Sequence, residues 1–207
     1  MSDSSVEFAS LLCSRLCHDL LSPVGAMNNG IELLVDEEDP DMRARVTELL
    51  ADSARAAADR LKFFRLAFGA GGGFGETLDA NEVKVAVQGL VRANPRIDLG
   101  WMVETPVIPK TGAKILLNLV MVAFDALVRG GRLDVGVEGG EVVVRAEGPR
   151  LVLDAEIRGV LAAGQGEVTS RTSAAWLTRR MAESEGGSLS LADGEQGVLL
   201  LGATLPR

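Results

Sequence analysis

The chain has 207 residues, of which 47% are hydrophobic and 24% charged, a balance typical of a folded globular protein and not of a disordered one. Its formal net charge of −8 argues against general nucleic-acid binding, which depends on Lys and Arg side chains that neutralise phosphates. No apolar run reaches the roughly 18 residues of a transmembrane helix, and the N-terminus has no secretory signal pattern. We therefore expect a cytoplasmic protein that partners neither nucleic acid nor membrane.

The first 70 residues predict two long helices joined by the acidic stretch "DEEDPD", in which Pro40 is suited to start the second helix. The apolar stripe of the first helix contains Phe8, Leu12, Leu16, Leu20, Val24, Met27, Ile31 and Leu34. The inward residues predicted for the second are Val46, Leu49, Leu50, Ala54, Ala57, Leu61, Phe64 and Phe68. A lone antiparallel hairpin cannot bury both stripes, so we expect a homodimer whose two hairpins form a four-helix bundle. Packing of the hairpin on the C-terminal domain is the alternative.

The glycine-rich stretch "GAGGGFG" at 69–75 indicates a flexible connector between two domains, 1–70 and 76–207. The second domain alternates helical and strand patterns, with one hairpin that turns at Gly139–Gly140 and a second hairpin within 188–206. Helices are predicted at 80–94, 112–131, 153–164 and 171–187, and strands at 97–104, within 132–147 and within 188–206. This order predicts the α+β class, with one mixed sheet covered by helices on one face.

Two cysteines, Cys13 and Cys17, lie four residues apart on the first helix. That separation is too short for a disulfide that staples a fold, and a cytoplasmic chain would keep both thiols reduced. Because Cys13 falls on the apolar stripe, we interpret the pair as small packed side chains and expect no metal site.

The only histidine of the chain, His18, faces away from the apolar stripe. Its helix face contains Leu11, Ser14, Arg15, Ser22, Gly25 and Asn29, most of which are short. We expect the ring to project into solvent over a low surface that a partner protein can approach; an ordinary surface histidine is the alternative. Pro23 removes a hydrogen bond to the Asp19 carbonyl and should bend the helix, either for packing or for access.

A neutral imidazole nitrogen is a good nucleophile near neutral pH and needs no separate base to attack a phosphoryl or acyl centre. A hydrolase would need an oriented acid and base with an oxyanion hole, and no motif such as "GxSxG" occurs. A phosphoryl acceptor needs only a protruding nucleophile, because its partner can bring the metal and the charge stabilisation. Asp19 and Asn29 are the two candidates for holding the second ring nitrogen.

The stretch "HDLLSPVGAMNNGIELL" resembles the dimerisation and phosphoacceptor helix of two-component histidine kinases. Extended to "LLCSRLCHDLLSPVGAMNNGIELL", and together with "RLKFFRLAFGAGG", it resembles the alphaproteobacterial ChpT family of histidine phosphotransferases. The resemblance implies that His18 accepts a phosphoryl group from the receiver-domain aspartate of a hybrid kinase and passes it to response regulators. It implies that Asp19 orients the ring, that the receivers supply Mg²⁺, and that this chain binds no cofactor.

The same resemblance implies a receiver-docking surface around His18. Its expected members are Ser14, Arg15, Ser22, Gly25 and Asn29 on the first helix and Arg60 and Lys62 on the second. The second helix is included because a receiver would insert its own first helix between the two helices of the hairpin.

The second domain resembles the ATP-binding (GHKL) domain of histidine kinases, but it lacks the residues of a nucleotide site. In "NLVMVA", Asn118 and Ala123 match the kinase pattern "NLxxNA", whereas Val122 replaces the metal-binding asparagine. The region "VVVRAEGPRLVLD" also has no "DxGxG" turn. We expect a retained fold that either contacts the receiver or rigidifies the dimer. An ATP-dependent histidine kinase and a non-catalytic receiver-binding adaptor remain the alternatives.

Overall fold

A computed structural model of the chain describes residues 3–69, 75–194 and 197–206. Two long antiparallel helices come first, α1 (Asp3–Asp36) and α2 (Pro40–Ala67). Pro40 occupies the first turn of α2, and the Asp39 side chain caps that helix by accepting a hydrogen bond from the Asp41 amide at 2.9 Å. The predicted helical hairpin is thus confirmed. Most of the predicted glycine connector, residues 70–74, lies outside the described residues.

The C-terminal part is a five-stranded mixed sheet with helices packed against it. Its elements are β1 (Thr77–Asp79), α3 (Ala80–Arg92), β2 (Ile97–Val103), β3 (Val107–Pro109), α4 (Lys110–Ala126), β4 (Gly131–Glu138), β5 (Glu141–Glu147), α5 (Ala155–Ala163), α6 (Ser173–Ser184), β6 (Ser188–Gly194) and β7 (Val198–Thr204). The strand order is β2-β4-β5-β7-β6, with β2 parallel to β4 and the other pairs antiparallel. The α+β class predicted from the sequence is confirmed.

Most predicted helix ends shift by a few residues, and two differences are larger. The central helix α4 ends at Ala126 and not at 131. Gly130 and Gly131 have φ values of 83° and 141°, and a Cβ atom on Gly131 would lie 2.1 Å from the Glu147 carbonyl oxygen, so this pair turns the chain into β4. The antiparallel pair β1–β3 was not predicted, because three-residue strands are too short to show a two-residue period.

One hydrophobic core extends from the sheet into the end of the hairpin. Helix α4 is buried along most of its length between the sheet and the other helices. The last turns of α2 add Phe63, Phe64, Leu66 and Ala67 to this core. The hairpin therefore packs on the C-terminal part through the end of α2, which is the arrangement that the sequence left as an alternative to the dimer.

The rest of the hairpin leaves much of its apolar stripe uncovered. Val24 and Ile31 of α1 are 49% and 58% exposed, and Leu49 and Leu61 of α2 are 48% and 55% exposed. Both cysteines are exposed as well, so the prediction of packed thiols is wrong for the single chain. None of the described helices is long and apolar enough to cross a membrane.

Candidate functional site

The His18 side chain projects from the middle of α1 and is 84% exposed. Its Nδ1 atom lies 3.1 Å from Oδ1 of Asp19, the next residue. An ionised carboxylate can only accept, so this contact places the ring hydrogen on Nδ1. Nε2 makes no hydrogen bond with any residue that the structure describes. In the neutral ring, Nε2 is therefore left with a free lone pair that faces the solvent side of α1.

The Asp19 carboxylate is held from its other side by Arg15. Arg15 Nε donates to Asp19 Oδ2 at 2.9 Å, and Arg15 Nη2 donates to Asp125 Oδ2 of α4 at 2.7 Å. Burial disfavours the charged guanidinium, but the carboxylates of Asp125 and Asp19 outweigh it and raise the pKa of Arg15 above its ordinary value. Between the two sequence candidates for holding the ring, the structure places Asp19 there. Asn29 is exposed and lies almost three turns further along α1.

Pro23 and Arg60 meet at the backbone carbonyl of Asp19. A proline has no N–H, so Pro23 cannot donate to this carbonyl, which lies four residues before it in α1. The guanidinium of Arg60 on α2 donates to the same oxygen through Nη1. Helix α1 thus continues through Pro23. The Asp19 carbonyl, which has no donor in its own helix, is hydrogen-bonded to α2 instead, one residue from His18.

The other expected docking residues are distributed along both helices. Ser14, Ser22, Asn29 and Lys62 are exposed, and a Cβ atom on Gly25 would meet nothing within 4 Å. Arg15 and Arg60 are half-buried, and their side chains make the contacts with Asp19 described above. The surface beside His18 is therefore open, as its short residues predict.

A cleft of about 470 Å³ adjoins this surface between α1, α2 and α3. It brings together Ser22 and Arg60 from the expected docking set, whereas Ser14, Asn29 and Lys62 lie outside it. Its other residues are Pro23, Ala26, Asp52, Ser53, Arg55, Ala56, Asp59, Gly89, Arg92, Ala93 and Pro95. The α3 side of the cleft was not predicted, because no local pattern in α3 reports that it packs against α2. Arg92 binds Asp59 across this junction at 2.6 Å.

Sequence reasoning also missed Asp125. A signal was present, since an acidic residue in the last turn of a helix is opposed by the helix dipole. Asp125 is such a residue in an otherwise largely apolar helix, and only the tertiary contact with Arg15 explains it.

The position that a histidine kinase uses for its metal-binding asparagine is apolar and buried in this chain. Val122 is 6% exposed and offers no oxygen or nitrogen ligand. Asn118 is fully buried, and its Nδ2 donates to the carbonyls of Lys114 at 2.8 Å and Ala67 at 3.4 Å. Asn118 thereby joins α4 to the end of α2. Among the described residues, no group of three or more His, Cys, Asp or Glu side chains could hold a metal ion.

A family profile described as the histidine phosphotransferase C-terminal domain matches residues 80–197, more than half of the chain. The chain belongs to the histidine phosphotransferase family. It is 41% identical over 135 residues to the protein phosphotransferase ChpT of Brucella abortus (strain 2308), an alignment that covers 65% of this chain and 63% of that protein. The 1.7 Å structure of a bacterial phosphotransferase superposes with a TM-score of 0.84 at 30% identity, covering 98% of both chains.

Proposed function

We propose that this protein is a cytoplasmic histidine phosphotransferase of a phosphorelay, with His18 as its phosphoacceptor. The observation that carries the proposal is the state of the His18 ring, which is exposed with Nδ1 bound to Asp19 and Nε2 free. Membership of the histidine phosphotransferase family supports it, as does the similarity to the Brucella protein phosphotransferase.

In the proposed step, the Nε2 lone pair attacks the phosphorus atom of an aspartyl phosphate on a partner protein. The N–P bond forms as the P–O bond to the aspartate breaks, and the aspartate carboxylate leaves with the electron pair. The ring becomes positively charged, and Asp19, which keeps the Nδ1 hydrogen in its hydrogen bond, stabilises that charge. The reverse step, onto a second aspartate, uses the same geometry.

The proposed partners are the receiver domain of a hybrid histidine kinase, as donor, and the receivers of response regulators, as acceptors. These receivers would supply Mg²⁺, and this chain would bind no cofactor itself. The open surface formed by Ser14, Ser22, Gly25 and Asn29 supports docking beside His18, with Lys62 and the Arg60 side of the cleft next to it. Arg15 would contribute by holding Asp19. The α3 wall of the cleft would add contacts from the C-terminal part.

A homodimer is part of the proposal. The uncovered apolar residues of the hairpin support it, and so does an apolar groove of about 450 Å³ between the helices. That groove is lined by Ala9, Leu12, Cys13, Leu16, Leu20, Leu61, Phe64, Arg65, Phe68 and Gly69. A second hairpin packed on this face would complete the four-helix bundle.

Incubation with a radiolabelled phospho-receiver domain tests the function. We expect the wild-type chain to take up label that is labile in acid and stable in base, as a phosphohistidine is, and the His18→Ala variant to take up none. Cys17→Ala, a change at the exposed neighbouring position, is the matched control and should be labelled like the wild type. Equal labelling of the His18→Ala variant would refute the proposal.

The same assay separates the two alternatives. Label transferred to the chain from Mg-ATP alone, with no receiver present, would indicate a kinase. Binding of the receiver without transfer of label would indicate an adaptor.

A further inference from the structure

The interface between the hairpin and the C-terminal part is connected to the His18 ring by an unbroken series of polar contacts. Asp125 binds Arg15 at 2.7 Å, Arg15 binds Asp19 at 2.9 Å, and Asp19 binds the ring at 3.1 Å. Each contact uses a different atom of the intermediate residue. Arg15 uses Nη2 on one side and Nε on the other, and Asp19 uses Oδ2 and Oδ1.

The two intermediate side chains are shielded from solvent, whereas the two ends are open to it. Arg15 and Asp19 are each 16% exposed, compared with 48% for Asp125 and 84% for His18. A shielded guanidinium between two carboxylates has a defined orientation, because its planar fork must satisfy both partners at once. The orientation of Arg15 then fixes the plane of the Asp19 carboxylate and, with it, the acceptor presented to His18 Nδ1.

The position of Asp125 in its own helix indicates a role outside that helix. It lies in the last turn of α4, where the helix dipole disfavours an acidic side chain. The described part of α4 has no basic residue in that turn to offset it. The compensating cation, Arg15, is 110 residues away in the sequence.

We propose that Asp125, acting through Arg15 and Asp19, is a positioning residue for His18 that holds the ring hydrogen on Nδ1 and leaves Nε2 as the nucleophile. The C-terminal part thereby sets the state of the phosphoacceptor on the hairpin. Two effects work in the same direction. Asp125 orients Arg15. Its carboxylate also partly offsets the positive charge of Arg15, which would otherwise weaken Asp19 as a hydrogen-bond acceptor. The role in phosphotransfer rests on the function proposed above, whereas the effect on the ring does not.

The ring itself provides the readout, because His18 is the only histidine of the chain. A long-range ¹H–¹⁵N correlation spectrum of the full-length protein therefore contains one imidazole. In the wild type we expect the neutral ring to show a protonated Nδ1 and an unprotonated Nε2. In Asp125→Asn we expect the two nitrogen resonances to move toward each other as the other tautomer becomes populated, and phosphoryl uptake to fall by on the order of tenfold.

Two variants identify the route. Asp125→Glu retains the charge and should restore most of the wild-type spectrum. In an Arg15→Ala background, Asp125→Asn should cause no further change in the spectrum, because the intermediate residue is missing. Additive effects of the two substitutions would overturn the proposal.

Glu82→Gln is the matched control. Glu82 of α3 also forms an ion pair with the hairpin, binding Arg65 at 3.1 Å, and the substitution likewise replaces a carboxylate by an amide. It should leave the His18 resonances unchanged. An unchanged spectrum in Asp125→Asn, or an equal shift in Glu82→Gln, would overturn the proposal. Should His18 accept no phosphate at all, the proposed function fails while the spectral coupling can still be observed.

Discussion

At the scale of single residues, the site depends on a backbone oxygen that the sequence leaves without its normal partner. Pro23 removes the donor for the Asp19 carbonyl, and Arg60 supplies another from α2. The half-buried Arg60 guanidinium also fixes the helix pair at the level of His18. The proline and the arginine therefore act together, which makes their energetic coupling measurable.

We predict that Arg60→Ala lowers the free energy of unfolding by about 2 kcal/mol, the usual cost of losing a hydrogen bond to a charged group. In a Pro23→Ala background the restored amide can donate to the Asp19 carbonyl, so the same substitution should cost less than about 1 kcal/mol. Urea unfolding at one fixed protein concentration measures both values. Lys62→Ala on the exposed face of α2 serves as control, with a change below about 0.5 kcal/mol. Equal costs of Arg60→Ala in the two backgrounds would contradict the coupling.

At the scale of the helix, Gly25 and Gly30 of α1 have different surroundings. A Cβ atom on Gly25 would meet nothing within 4 Å, whereas one on Gly30 would lie 2.8 Å from Leu50 Cδ2 of α2. Gly30 permits the close approach of the two helices. Gly25 has no such packing role in the chain and keeps the surface beside His18 low.

We predict that Gly25→Ala raises the free energy of unfolding by about 0.5–1 kcal/mol, because alanine is the better helix former. Gly30→Ala should gain less or lose stability, since the Leu50 side chain must move. Thermal or urea unfolding measures the change in stability for both substitutions. A bulky substitution, Gly25→Phe, should fold normally yet reduce phosphoryl uptake from a receiver domain, and unchanged uptake would place the docking surface elsewhere.

At the scale of the whole molecule, the hairpin is covered at one end only. Phe63 and Leu66 at the end of α2 enter the C-terminal core, whereas the apolar groove along the same turns of α2, beside Leu61, stays open in the single chain. A large apolar surface in a soluble protein usually marks an interface. The hairpin is thus suited both to carry the C-terminal part and to pair with a second copy.

We predict that Leu61→Glu converts a dimer into a monomer, because it places a carboxylate in the apolar groove where the second hairpin would pack. Leu61 is 55% exposed in the single chain, so the substitution leaves the fold of the monomer intact. Sedimentation equilibrium should show the mass of two chains for the wild type and of one for the variant. Met102→Lys, at a 61% exposed methionine of β2, is the control and should remain dimeric. A wild-type monomer would contradict the prediction.

The sequence by itself determined the features that depend on local spacing. The three- to four-residue apolar period predicts α1 and α2, the alternation on both sides of Gly139 and Gly140 predicts the β4–β5 hairpin, and the helical angle of His18 predicts its exposure. It also pointed to Asp19 as one of two candidate partners for the ring.

Only the tertiary structure decided which distant residues act on that histidine. Arg60 and Asp125 lie 41 and 110 residues from their hydrogen-bond partners at the site, and no periodicity in the chain connects such positions. The Arg60 contact results from the packing of α1 against α2. The Asp125 contact exists because the end of α2 packs into the C-terminal core and so brings α4 beside α1. A local pattern reports the face on which a side chain lies. The residue it meets there depends on how the elements pack, which is a property of the whole chain.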